Sequence, residues 1–268
     1  MKRSMLVPVA LMFVACTDTP LTGTSESSLR FSTAIADAPA TEAILPSGYA
    51  SVMGETGNTF PHSSRNMRYQ QVFSGADVVN PEIVGLCLRH DDGFADGTST
   101  TQTLAIKLGP TSLDYTTLGS NFAANYSSSP TEVFSGDIAV PAGGSGGTPS
   151  DFDLCIPFSQ AYNHPAGSNL LIEVVNTSLA SGNVPRDACV DTAAACTTAR
   201  AFAFSATAEN ATLVARGGLV MKFVSPEPPV PTEPVSHEDC LNGGWAEFAF
   251  RNQGQCMRFV ETGVDSRI

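Results

Sequence analysis

The chain has 268 residues, a formal net charge of −12 and only 15% charged residues. An acidic chain repels nucleic acid and anionic lipid surfaces, so we exclude nucleic-acid binding and charge-driven docking on a membrane. The length suffices for one large all-β domain or two smaller domains.

The first residues, MKRSMLVPVALMFVAC, have the build of a secretory signal, with two basic residues before a short apolar run. The run is shorter than the roughly 20 residues that a membrane span needs. Residues 1–15 are therefore predicted to be a removable signal. The ending FVAC resembles the lipobox of bacterial lipoproteins, with Phe13 where leucine is commoner. The resemblance implies cleavage before Cys16 and lipid on Cys16, which would make the membrane a partner through that lipid.

Thr17 follows the cysteine, at a position where some lipoproteins carry aspartate. The absence of aspartate there resembles lipoproteins that are passed to the outer membrane. We therefore expect a location in the bacterial cell envelope, at the outer membrane or the cell surface. Residues 16–45 are rich in Ser, Thr, Ala and Pro and lack periodicity, which predicts a flexible tether.

Composition divides the rest of the chain into three parts. Residues 225–236, SPEPPVPTEPVS, hold five prolines and are predicted to be a semi-rigid linker. They separate a main domain over residues 46–224 from a small module over residues 237–268.

The main domain has the period-2 pattern of β-strands. TLAIKLG alternates apolar Leu104, Ile106 and Leu108 with Ala105 and Lys107. Gly, Pro, Asn, Asp and Ser clusters separate further runs of this kind, which are MRYQQVF, EVFSGDIAV, FDLCIPF, LLIEVV, AFAFSA and LVMKFV. Many short strands with turns between them predict an all-β domain, a β-sandwich or jelly roll.

One of the seven cysteines is predicted to carry lipid, which leaves an even number. None of the cysteines has the Cys-x-x-Cys spacing that is typical of a metal site. In an exported chain such a set favours disulfides, although six cysteines allow 15 pairings. The six are Cys87, Cys155, Cys189, Cys196, Cys240 and Cys256. Cys189 and Cys196 lie in one loop and most simply close it.

Strand faces favour one more pair. In IVGLCLR, Val84, Leu86 and Leu88 share the apolar face and leave Cys87 on the polar one. In FDLCIPF, the apolar face carries Phe152, Leu154 and Ile156, and Cys155 is again on the polar side. If the two strands are neighbours, a Cys87–Cys155 bridge follows.

A longer series of phrases resembles a family of secreted bacterial β-sandwich proteins of unknown function, many of which end in the PEP-CTERM sorting signal. The phrases are SGYASVMGETGNTFP, RYQQVF, EIVGLCLRHD, VFSGDIAV, DFDLCIPF and YNHPAGSNLLIEVVN, in that order over residues 46–224. The resemblance implies the fold and export but supplies no catalytic residues. This chain departs from the family in lacking the sorting tail, and the lipid on Cys16 is expected to replace it.

The last part, EDCLNGGWAEFAFRNQGQCMRFVETG, resembles a short cysteine-paired module of secreted bacterial proteins. Asn252 with Gln255 predicts a helix start, and Gly263 predicts its end. So small a unit needs a covalent link, so a Cys240–Cys256 disulfide is expected.

Several residues are candidates for chemistry. Asp91, Asp92 and Asp96 in HDDGFADG offer oxygen ligands for Ca²⁺, although the spacing is not that of an EF-hand and a solvated acidic turn is favoured. No other cofactor is expected. Histidines occur singly, and GGSGG at residues 143–147 lacks the following helix of a hydrolase nucleophile turn, so we expect no catalytic residues and no enzyme activity.

Aromatic side chains are the usual handle for glycans on β-sandwiches. Tyr115, Tyr126 and Tyr162 lie in loop-like sequence and are candidate stacking residues. Trp245, the only tryptophan, is favoured as part of the small module's own core. The hypothesis is a lipid-anchored structural or binding module that contacts cell-surface glycan or envelope proteins. The alternatives are a polysaccharide hydrolase and a calcium-stabilised adhesin.

Overall fold

A computed structural model describes residues 41–62, 66–78, 80–143, 147–179, 182–226, 233–265 and 267. The predicted lipidation site Cys16, most of the predicted tether, residues 144–146 and most of the proline-rich linker lie outside these residues. None of the helices in the described part of the chain is long and apolar enough to cross a membrane.

The described residues form twelve strands and one α-helix. The strands are β1 (Thr41–Leu45), β2 (Thr56–Asn58), β3 (Met67–Phe73), β4 (Glu82–Arg89), β5 (Thr100–Thr111), β6 (Thr131–Val140), β7 (Phe152–Asn163), β8 (Asn169–Asn176), β9 (Arg186–Val190), β10 (Ala199–Ala203), β11 (Leu213–Leu219) and β12 (Met221–Ser225). The helix α1 covers Gln253–Thr262. The predicted all-β main domain is confirmed.

The strands form two antiparallel sheets. The smaller sheet has the order β1-β12-β4-β7, and the larger has the order β2-β9-β11-β10-β3-β8-β5-β6. Apolar side chains from both sheets meet in one core, as the alternation in the sequence requires. Leu104, Ile106 and Leu108 of β5 lie there with 0–2% of their surface exposed.

The disulfide prediction is confirmed for all six cysteines. Cys87 and Cys155 lie directly opposite each other on β4 and β7 and are bonded. Cys189 bonds Cys196, and Cys240 bonds Cys256.

The small C-terminal module has the predicted helix boundaries. The Asn252 side chain accepts a hydrogen bond from the Gln255 backbone N–H at 3.0 Å, and Gly263 ends the helix at a φ of 67°. A residue with a Cβ atom adopts that backbone angle at a cost, so glycine suits the position. Trp245 packs in the module's core, as the sequence favoured.

Three details of the sequence interpretation are wrong. The sheet begins inside the predicted tether, because β1 pairs along its whole length with β12. Ile83 rather than Val84 is buried in the core, since the β4–β7 register shifts just after Ile83. Phe152 does not join the core; a second shift leaves its ring within 5.3 Å of the Arg89 guanidinium.

Candidate functional site

Residues 112–130, which connect β5 to β6, pack on the face of the larger sheet that points away from the core. We call this the outer face and the connection the outer-face loop. Leu118 and Phe122 of the loop pack against Val72 of β3 and Leu171 of β8 in a second, smaller apolar cluster. The loop therefore covers part of the outer face and has an apolar anchor of its own.

Hydrogen bonds fix the shape of the outer-face loop. The Asn125 side chain, 2% exposed, accepts from the Gly119 N–H at 3.0 Å and donates to the Gly119 carbonyl at 2.9 Å. The Ser127 N–H donates to the Pro110 carbonyl at the end of β5 at 2.9 Å. A loop held in this way is preorganised, which lowers the ordering cost of binding a ligand.

A row of polar residues crosses the outer face under the loop. Gln70 of β3 and Lys107 of β5 both lie directly opposite Glu173 of β8. Strand alternation requires this arrangement, since the next residues, Ile172 and Ile106, point into the core.

Glu173 is the centre of a buried hydrogen-bond network and is only 1% exposed. Its carboxylate accepts from Arg68 Nη2 at 2.9 and 3.1 Å and from Gln70 Nε2 at 2.7 Å. Gln70 also donates to the Phe122 carbonyl and accepts from Asn125, each at 2.9 Å. These bonds compensate the cost of burying a carboxylate and connect the sheet to the loop.

Arg68 has a polar and an aromatic partner in addition to Glu173. Its Nη1 donates to the Ala208 carbonyl at 2.9 Å, and its guanidinium lies 4.7 Å from the centre of the Phe122 ring. Its side chain stays 21% exposed. The arginine therefore keeps an open edge beside a hidden carboxylate.

A cavity of about 300 Å³ opens between the outer-face loop and the sheet. Its lining residues come from three strands and the loop, and they are Arg68, Lys107, Ala123, Tyr126, Ser128, Ser129, Pro130 and Glu173. The Tyr126 ring forms one wall. Gly109 makes room for it, because a Cβ atom there would lie 2.7 Å from a ring carbon.

The Tyr126 hydroxyl is buried and has no hydrogen-bond partner among the described residues. Burial raises the pKa of this phenol, and the Glu173 carboxylate raises it further. Tyr126 is therefore neutral across the physiological range and offers the cavity an aromatic surface without charge.

Lys107 is half-buried at the cavity and forms no ion pair or hydrogen bond with any described residue. Two carboxylates lie opposite it in register, Glu173 on β8 and the exposed Glu132 on β6. Neither is within ion-pair distance. The ammonium group thus remains available to a ligand.

The structure places the candidate stacking residues in different surroundings. Tyr126 lines the cavity, whereas Tyr115 lies outside it with the Arg216 guanidinium 4.8 Å from its ring. Tyr162 is not in a loop: it belongs to β7 and is 5% exposed. The sequence pattern predicts that β7 ends after FDLCIPF, because the next residues, SQA, do not continue the apolar alternation. Trp245 belongs to the core of the small module.

The three carboxylates of the acidic turn have different surroundings. Asp91 is 5% exposed and accepts from the Gly93 N–H at 2.7 Å, and burial raises the pKa of its carboxyl. Asp92 accepts instead from the Ser150 hydroxyl, and Asp96 is exposed. In the described part of the chain no three acidic, histidine or cysteine side chains converge as metal ligands.

A second cavity of about 440 Å³ lies beside the ends of β5 and β6. Among its described lining residues Asp153 is the one carboxylate, and Arg186, which is fully buried, is bonded to it. Glu173 is likewise the one carboxylate among the described residues that line the first cavity, and it is paired with Arg68. Each cavity therefore offers a single carboxylate that is already paired with an arginine.

Sequence reasoning missed Glu173, Gln70 and Lys107 as site residues. A signal was present, because Glu173 interrupts the apolar run LLIEVV and glutamate is almost never buried without a partner. The identity of the partners required the register of three strands that are far apart in sequence.

The fold and the cavity define a class: an antiparallel β-sandwich with a cavity of mixed polar and apolar lining on the outer face of its larger sheet. No protein-family model matches this chain, and no curated protein is significantly similar to it. The resemblance to the secreted β-sandwich family therefore stays a prediction.

Proposed function

We propose that this chain is an exported, envelope-anchored β-sandwich that binds a glycan in the cavity under the outer-face loop. The cavity itself supports this function best, because a neutral aromatic wall lies next to charged and hydroxyl side chains. Sugar rings have apolar faces and polar edges, and such a lining suits both. The volume is at the lower end of the roughly 300–1,000 Å³ of small-molecule sites, which fits a short stretch of a glycan.

Binding is favoured over hydrolysis by the state of the carboxylates. Glycoside hydrolysis uses two carboxyl groups about 5–10 Å apart across the scissile bond. Glu173 already accepts three hydrogen bonds and is 1% exposed. A carboxylate held in this way supports the loop and is poorly placed to act as an acid, base or nucleophile.

The location is proposed from the chemistry of the cysteines. Disulfides persist in oxidising compartments, and three of them support export. Cys16 would carry the lipid that holds the domain at the envelope. Metabolic labelling with a radioactive fatty acid tests the anchor: we expect label on the wild-type chain and none on a Cys16→Ser variant. Equal labelling of the two would refute it.

The glycan function is tested on a glycan array with the purified full chain. We expect Tyr126→Ala to weaken binding about fivefold or more, since a stacking wall contributes about 1 kcal/mol or more. Tyr115→Ala is the matched control, because Tyr115 lies on the same loop outside the cavity. A Tyr126→Phe variant, which keeps the ring, should bind like the wild type, and this result would assign the loss in Tyr126→Ala to the missing ring. An array without bound glycans, or binding indifferent to Tyr126→Ala, would contradict the proposal.

A further inference from the structure

The charged groups of the cavity differ sharply in their access to a ligand. Glu173 is 1% exposed, whereas the side chain of its partner Arg68 is 21% exposed. Lys107 lines the same cavity and has no partner among the described residues. A ligand entering the cavity therefore meets cationic groups, while the carboxylate that balances one of them is hidden behind the network.

Among the hydrogen-bonding groups of the cavity, donors are more accessible to a ligand than acceptors. Lysine and arginine side chains only donate, and the two serines at the rim, Ser128 and Ser129, can donate as well as accept. Glu173 already accepts three hydrogen bonds from Arg68 and Gln70 and is 1% exposed, so it offers a ligand little acceptor capacity. The cavity is thus rich in donors, and its complement is a ligand rich in acceptors.

The balance of charge favours a single negative group. Arg68 and Glu173 neutralise each other, which leaves Lys107 as the unpaired charge among the described residues that line the cavity. The exposed Glu132 opposite Lys107 and the net charge of −12 both oppose dense polyanions such as nucleic acid or polyphosphate. One carboxylate on an otherwise neutral ring fits this site.

Resting on the proposed glycan function, we infer that the cavity selects an acidic sugar, a hexuronate whose carboxylate binds the Lys107 ammonium while its ring packs on Tyr126. The Ser128 and Ser129 hydroxyls contact the polar edge of the same ring. Lys107 is the residue that determines specificity, and Glu132 competes with the ligand for it.

The test compares oligouronates with their methyl esters, which keep the sugar shape and lose the charge. Isothermal titration of the full chain uses trimers of galacturonate, mannuronate and glucuronate. We expect at least one acid trimer to bind about tenfold more tightly than its ester, the size of one charge-assisted hydrogen bond. Lys107→Met should abolish this preference, because the affinity for the acid falls to about that for the ester.

Two further variants complete the design. Lys222→Met removes the other lysine of the described chain, which lies on β12 and is not among the residues that line the cavity, and should keep the preference for the acid. Glu132→Gln removes the competing carboxylate and should tighten binding of the acid by about twofold to threefold.

The outcomes separate this inference from the glycan function. Equal binding of acid and ester, or a preference for the acid that survives Lys107→Met, overturns the selection of acidic sugars. If neutral glycans on the array still require Tyr126 in that case, the glycan function stands. If no oligouronate binds, the inference is wrong, and if the array is also empty, the glycan function is wrong too.

Discussion

Arg89 and Asp187 form an ion pair whose two side chains are 1% and 0% exposed. Arg89 ends β4 in the smaller sheet, and Asp187 lies on β9 in the larger one, so the pair joins the sheets. Arg89 Nε donates to Asp187 at 2.7 Å, and its Nη2 donates to the carbonyls of Tyr49 and Val52. The Gly54 N–H donates to the other Asp187 oxygen at 2.7 Å. The connection between β1 and β2 is therefore fixed to both sheets.

Removing one partner of this pair should destabilise the sandwich. Asp187→Asn or Arg89→Met leaves an uncompensated buried group, and we expect a loss of about 3–5 kcal/mol in the free energy of unfolding. Urea titration followed by circular dichroism measures it. Glu42→Gln is the control, because it breaks the exposed pair with Lys222 and should cost at most about 1 kcal/mol. Similar losses in buried and exposed variants would show that the pair does not hold the sheets together.

His62 should make the fold sensitive to acid. Burial lowers the pKa of this imidazole from 6.5 to about 3, and the charge of Arg186 adds to the effect. Between these values the unfolded chain binds a proton that the folded chain does not. The free energy of unfolding therefore falls as pH decreases below 6.5, by about 1.4 kcal/mol per unit.

Comparison of stability at about pH 7 and about pH 5 tests this prediction, with an expected loss of about 2 kcal/mol from His62. His62→Leu should remove that part of the pH dependence. His164 should still make its own contribution to the pH dependence, because burial lowers the pKa of its imidazole as well. His237→Gln is the control, since His237 is 51% exposed. An unchanged slope in His62→Leu would be inconsistent with a neutral, buried imidazole.

The small C-terminal module should depend on its disulfide. Cys240 and Cys256 are 16 residues apart, and a closed loop of this length contributes about 3 kcal/mol. The helix has 10 residues, too few to be stable alone. In a Cys240→Ser/Cys256→Ser variant, hydrogen exchange over Gln253–Thr262 should become fast while the sheets stay protected.

The matching variant for the sandwich is Cys189→Ser/Cys196→Ser, which should leave the exchange of the helix unchanged. A helix that keeps its protection without Cys240 and Cys256 would mean that apolar contacts of Trp245 and Phe250 hold the module together.

The two lysines of the described chain should differ in reactivity when a ligand is bound. Ligand in the cavity covers Lys107, whereas Lys222 lies on the smaller sheet and contacts Glu42 at 2.7 Å. With an oligouronate at ten times its dissociation constant, we expect acetylation of Lys107 to slow by about tenfold. Mass spectrometry of the modified peptides reads both sites at once. Equal rates at Lys107 with and without ligand would place binding elsewhere.

Local pattern was enough to predict several elements. Alternation placed Leu104, Ile106 and Leu108 in the core, and the same parity put Cys87 and Cys155 on matching faces. The capping residues around α1 were recognisable because they act within one turn of the chain. Where a register shift interrupted the alternation, at Ile83 and Phe152, the prediction failed.

The sequence by itself determined the class of fold, the strand faces that carry Cys87 and Cys155, and the limits of the terminal helix, because these depend on periodicity and on neighbours along the chain. Tertiary structure alone decided the cavity. Gln70, Glu173 and Lys107 become neighbours only through the pairing of β3, β8 and β5. Tyr126 reaches them only because the outer-face loop packs back on the sheet. Long-range strand pairing carries no local pattern, so a single sequence does not reveal it.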